Sequence, residues 1–77
     1  MNRQTILDNL ATEITKAVIE FRNNGRQFDI SKIKSKFRSQ LAFVEANKMP
    51  FNKAKIIAKN VIEEATNNII ERLQKRI

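Results

Sequence analysis

Cationic side chains supply most of the chemistry open to this sequence. Between positions 22 and 59 stand Arg22, Arg26, Lys32, Lys34, Lys36, Arg38, Lys48, Lys53, Lys55 and Lys59, against the acids Asp29 and Glu45 alone. Ammonium and guanidinium groups crowded in this way repel one another unless they are screened or paired, and two carboxylates cannot pair ten cations. A polyphosphate chain answers the imbalance: Lys and Arg neutralise successive phosphates and release condensed counter-ions, so affinity accumulates without a shaped pocket. The expected nucleic-acid-binding set is therefore Arg26, Lys32, Lys34, Lys36, Arg38, Lys48, Lys53, Lys55 and Lys59, acting on the backbone of RNA or DNA. The rest of the 77 residues carries five cations and six acids, so the basicity is local. The plainer alternative is a solvated basic face that only keeps the protein in solution.

Other chemistries lack the residues to build them. The chain contains no His, Cys, Trp or Tyr. Zinc sites, Cys nucleophiles, Ser-His-Asp relays and disulfide frameworks are excluded on that count. Glu63 and Glu64 are adjacent and point about a quarter turn apart on a helix, while Glu13 and Glu20 lie two turns apart on a face with Thr and Lys. All four read as solvated charges. With no Gly-rich phosphate loop and no clustered acids, neither an enzyme, a cofactor nor a metal is expected. No run of about 18 apolar residues is present, so a soluble, cytoplasmic protein is expected. Attachment to an anionic membrane ranks lowest, because the apolar helix faces are needed for the core.

These cations must be positioned by helices. The only Gly, Gly25, and the only Pro, Pro50, divide the chain into three pieces. In the first, Ile6, Leu7, Leu10, Ile14, Ala17, Val18 and Phe21 recur at three and four residues, predicting a helix over about 4–23, closed by Asn23-Asn24-Gly25. In the second, Ile30, Ile33, Phe37, Leu41 and Val44 predict a helix over 31–47, with Asp29 or Ser31 as its cap. The alternation in Ser31–Arg38 also suits a strand, but no other segment alternates and could pair with it. Pro50 disfavours a helical Met49 and suits a first helical turn. The third helix, over 52–76, carries Ala54, Ile57, Ala58, Val61, Ile62, Ala65, Ile69, Leu73 and Ile77 on one stripe.

The expected fold is thus all-α, a three-helix hairpin or bundle forming a single basic domain over 1–77. At this size, with no disulfide or metal, dimerisation is expected to complete the core. The third helix is long enough to project past the second, and Ile56 and Ile70 lie off its main stripe, so Phe43, Ile56, Ile70, Leu73 and Ile77 form the expected partner or oligomer interface. Lys32 and Lys36 point away from the apolar stripe of the second helix, with Ser35, Ser39 and Phe43 on the same outer side, while Lys34 and Arg38 flank it. Phe43 suits a stacking platform for an unpaired base or the centre of a protein contact, although a Phe beside a core stripe is more often core. Phe28 and Phe51 are expected to staple the loops onto the core. A helix-turn-helix reading around Pro50 is weak, since only Asn52, Lys53, Lys55 and Asn60 resemble base-reading residues.

Two functions follow as expectations. The first is a small, homodimeric, basic accessory protein that binds nucleic acid. The alternative is a protein-binding inhibitor, antitoxin-like partner or assembly factor that docks on another protein, for instance a nucleic-acid-processing enzyme. The Ile-, Lys- and Asn-rich usage resembles coding by an AT-rich genome, as in many bacteriophages and low-GC bacteria.

Overall fold

A computed structural model describes residues 2–75. Three helices follow in order: α1 over Arg3–Asn24, α2 over Ile30–Glu45 and α3 over Phe51–Lys75. They lie within one or two residues of the boundaries the sequence predicts, and the described residues contain no strand.

Local chemistry explains each helix end. Asn2 is in an extended conformation and its side chain accepts the Thr5 amide at 2.9 Å, satisfying one orphan donor of α1. At the other end Gly25 has φ +68°, the left-handed conformation that is strained for residues with a Cβ, and its amide returns to the Phe21 carbonyl at 2.9 Å. Of the two candidate caps for α2, Asp29 is the one that acts, accepting the Ser31 amide at 2.9 Å. α2 ends at Glu45 rather than Asn47, because the Asn47 and Lys48 amides turn back to the Val44 and Glu45 carbonyls and tighten the chain before Pro50. α3 then starts with the Ala54 amide bonded to the Pro50 carbonyl at 3.0 Å.

The helices form an elongated bundle of 42 × 21 × 19 Å. α2 runs antiparallel to α3: Lys34 meets Glu63, and further along α2 Arg38 and Phe43 share a groove with Lys59, Lys55 and Phe51. α1 and α3 run the same way, and Arg22 Nη2 donates to the Leu73 carbonyl at 3.2 Å near their C-terminal ends. The extra length of α3 beyond α2 is therefore matched by α1. The core comprises Ile6, Leu10 and Ile14 from α1, Phe37, Leu41 and Ala42 from α2, and Ala58 and Ile62 from α3, with Leu7, Val18, Ile30, Ile33, Val44, Val61, Ala65, Ile69, Ile70 and Leu73 packed at its margin.

Several positions differ from the sequence reading. Phe21 sits on the apolar stripe of α1 yet is exposed, because it lies where α2 has not yet begun; its ring packs edge-on against Phe28, with centroids 6.3 Å apart. Phe51 does not staple its loop to the core. It is 58% exposed at the first position of α3, with the Lys55 ammonium 5.6 Å from its ring centroid. Two polar residues are inside: Glu45 is 4% exposed and Thr66 1% exposed. Among the described residues, Glu45 Oε1 and Thr66 Oγ1 have no hydrogen-bond partner.

Candidate functional site

The cations separate into two groups once the helices pack. One group is already paired, by acids from outside the basic window. Lys34 Nζ lies 2.8 Å from Glu63 Oε1 and ties α2 to α3; Lys36 Nζ lies 3.2 Å from Glu13 Oε2 and ties α2 to α1; Arg26 Nη1 lies 3.5 Å from Glu20 Oε2. The reading of Glu13, Glu20 and Glu63 as merely solvated charges is therefore corrected. Packing of α1 and α3 onto α2 carries Glu13 and Glu63 to the cluster, and the turn at Gly25 carries Arg26 back to Glu20. Glu63 shows the electrostatic consequence. Its hydrogen bond from Lys34, reinforced by the charges of Lys34, Arg38 and Lys59 and opposed in part by desolvation, holds its carboxyl below the ordinary value of 4.5.

The second group, Lys32, Arg38, Lys48, Lys53, Lys55 and Lys59, makes no ion pair among the described residues. Three of its members converge. Arg38, Ser39, Ala42 and Phe43 of α2 and Phe51, Lys55, Ile56 and Lys59 of α3 line one groove along the α2–α3 seam. Every charged residue in that lining is positive. The floor and rim include the three most exposed large apolar side chains of the described residues: Phe43 at 76%, Ile56 at 63% and Phe51 at 58%. Helical spacing places them there, since Phe51, Lys55 and Lys59 follow one another at four-residue steps on α3, and Ser39 and Phe43 do so on α2. Lys48 and Lys53 are exposed on either side of the Met49–Pro50 turn, close in sequence to the groove's Phe51 end. Lys32 stands near the opposite end of α2.

The groove between α1 and α2 differs. Its lining mixes Glu13 and Glu20 with Lys16 and Lys36, and so offers no surface of one sign. Of the residues expected at a partner interface, Phe43 and Ile56 belong to the cationic groove, whereas Ile70 and Leu73 are half-buried against the core; Ile77 lies outside the described residues. Phe51 is the groove residue that sequence reading assigned elsewhere. The signal that could have found it was its four-residue spacing to Lys55 and Lys59.

Two further properties bear on what the arrangement can do. Among the described residues, no group of three or more His, Cys, Asp or Glu side chains could hold a metal ion. No helix over these residues is long and apolar enough to cross a membrane. Comparison of the chain with protein-family models, with curated proteins and with solved structures finds no match, so its function is argued from this geometry.

Proposed function

We propose that this is a small basic nucleic-acid-binding accessory protein that contacts the phosphate backbone of RNA or DNA through the α2–α3 groove. One observation carries the reading: Arg38, Lys55 and Lys59 line a single groove with no carboxylate in its lining, while neighbouring cations are neutralised within the fold. Unpaired cations in a shared groove raise the local potential and attract a polyanion, and each phosphate they neutralise releases counter-ions. Lys48 and Lys53 extend the positive surface around the turn. A cytoplasmic setting goes with this reading.

The test is the salt dependence of oligonucleotide binding by fluorescence anisotropy. With about five phosphates neutralised, raising salt from roughly 50 to 200 mM weakens binding by two to three orders of magnitude. Replacing Arg38, Lys55 and Lys59 together with Gln reduces that loss to roughly tenfold while leaving the circular dichroism spectrum unchanged. Binding with an undiminished salt slope in the triple variant overturns the proposal.

The second reading, a module that docks on another protein, is favoured by the joint exposure of Phe43, Phe51 and Ile56. A pull-down that survives high salt and fails with Phe43→Ala supports it. The expected homodimer is compatible with either reading when its contact lies away from the groove, since two grooves set face to face would press like charges together. The outer face of α1, where Ile19 is exposed beside Ala11 and Thr15, is free for that contact. Size-exclusion chromatography with light scattering decides the stoichiometry.

A further inference from the structure

Resting on the nucleic-acid reading, we infer that the α2–α3 groove takes a single strand whose unpaired bases stack on Phe43 and Phe51 while Arg38, Lys55 and Lys59 hold the flanking phosphates. Phosphate binding alone needs cations and leaves apolar side chains in water. Here the cations share their groove with two exposed rings and Ile56, so the ligand that covers this lining must present both negative charge and flat apolar surface. Unpaired nucleotides carry both, because every base has a π-face that a ring can meet and every linkage carries a charge.

Geometry argues against a duplex whose base edges are read. The major groove of B-form DNA, about 12 Å wide, admits one helix. The rings lie along a seam between two helices, in a bundle 21 × 19 Å across its short axes, so the whole α2–α3 face would have to enter. A duplex resting on this face meets the cations, but its bases are already stacked on one another and offer no open face to Phe43, which is 76% exposed. A splayed single strand can instead follow the seam. Lys55 Nζ lies over one face of the Phe51 ring, 5.6 Å from its centroid, so a base stacks on the opposite face, with a phosphate-binding charge close by. Charge also rejects groove-to-groove pairing of two copies of the chain, because both grooves are positive.

The experiment compares fluorescein-labelled single-stranded DNA and RNA of about 12 nucleotides with the matching DNA duplex, against the full chain and its Phe43→Leu/Phe51→Leu variant. Leu keeps apolar bulk and removes the ring; both positions are largely exposed, and circular dichroism verifies the fold. The expected result is tighter binding of the single strands than of the duplex. Loss of both rings weakens single-strand binding by roughly tenfold or more, with an unchanged salt slope and little effect on the duplex. The DNA and RNA arms report which sugar is preferred. Equal binding of duplex and single strand with no effect of the ring variant overturns the inference and leaves backbone binding standing. Duplex binding that exceeds single-strand binding and falls in the ring variant overturns it in favour of ring insertion into a kinked helix. Binding of neither nucleic acid, with capture of a labelled Glu- and Leu-rich helical peptide instead, overturns both this inference and the reading on which it rests.

Discussion

Lys34 Nζ and Glu63 Oε1, 29 positions apart in the chain, meet at 2.8 Å across the α2–α3 seam. The contact is a consequence of the antiparallel register that Phe37, Leu41, Ala58 and Ile62 set in the core, and it marks one end of the cationic groove, where Arg38 and Lys59 follow. The acid of this pair carries a definite pH signature. Because the folded carboxyl is held below 4.5, the unfolded chain binds its proton more readily. The stabilisation is therefore fully present above the ordinary glutamate value and is lost as pH falls through the lower folded value. Thermal unfolding of wild type and Glu63→Gln is expected to show its largest difference near neutral pH, shrinking progressively below pH 4.5. Both partners remain partly exposed, so the difference is modest and falls with added salt. A gap that stays constant into strong acid contradicts the assignment.

Gly25 closes α1 at φ +68° with open space around the position a Cβ would take, so backbone conformation, and not crowding, sets its tolerance. Gly25→Ala is expected to lower stability by about 1–2 kcal/mol. Gly25→Asn is expected to lose less, since Asn adopts the left-handed conformation more readily. Urea denaturation of the two variants measures both values. Equal losses would show that the helix end rearranges.

Thr66 is 1% exposed, and its hydroxyl has no partner among the described residues. Thr66→Val keeps the shape and removes the polar atom, with nearly the same helix propensity. A gain of about 1 kcal/mol is expected, which in a chain of this size raises the melting temperature by roughly 4–8 °C. A destabilised variant would show that the hydroxyl is satisfied in solution.

The extent to which these features are legible in the sequence follows from how local each one is. Gly25, Asp29 and Pro50 punctuate the chain through their own backbone chemistry, and the apolar steps from Ile6 to Ile14 or from Ala54 to Ile62 define core faces without reference to any partner. Thr66 and Glu45 are invisible to that pattern because polar residues are assigned outward by type, and only the packed bundle encloses them. The pairing of Lys34 and Lys36 is illegible for another reason. Local charge bookkeeping counts carboxylates near in sequence, whereas Glu63 and Glu13 arrive by helix register. The placing of Phe43 and Phe51 along one groove depends on the same register, so the groove emerges only when α2 and α3 are docked.

That register also divides the basic run of α2. The sequence places Lys32 and Lys36 outward and Lys34 and Arg38 beside the apolar stripe, yet it is Lys34 and Lys36 that are engaged by Glu63 and Glu13 while Arg38 lines the groove. A cation already neutralised within the fold releases few counter-ions when a phosphate approaches. Lys34→Gln/Lys36→Gln is therefore expected to change oligonucleotide affinity by less than about threefold and to leave the salt slope intact, while lowering the melting temperature through the loss of two interhelical contacts. Arg38→Gln/Lys59→Gln is expected to do the reverse, flattening the slope by nearly two phosphate equivalents with little effect on melting. Anisotropy titrations at several salt concentrations, beside thermal melts of the same samples, measure both quantities. Equal loss of affinity in the two double variants would mean that the bridges open on binding and that the interface follows the whole outer face of α2.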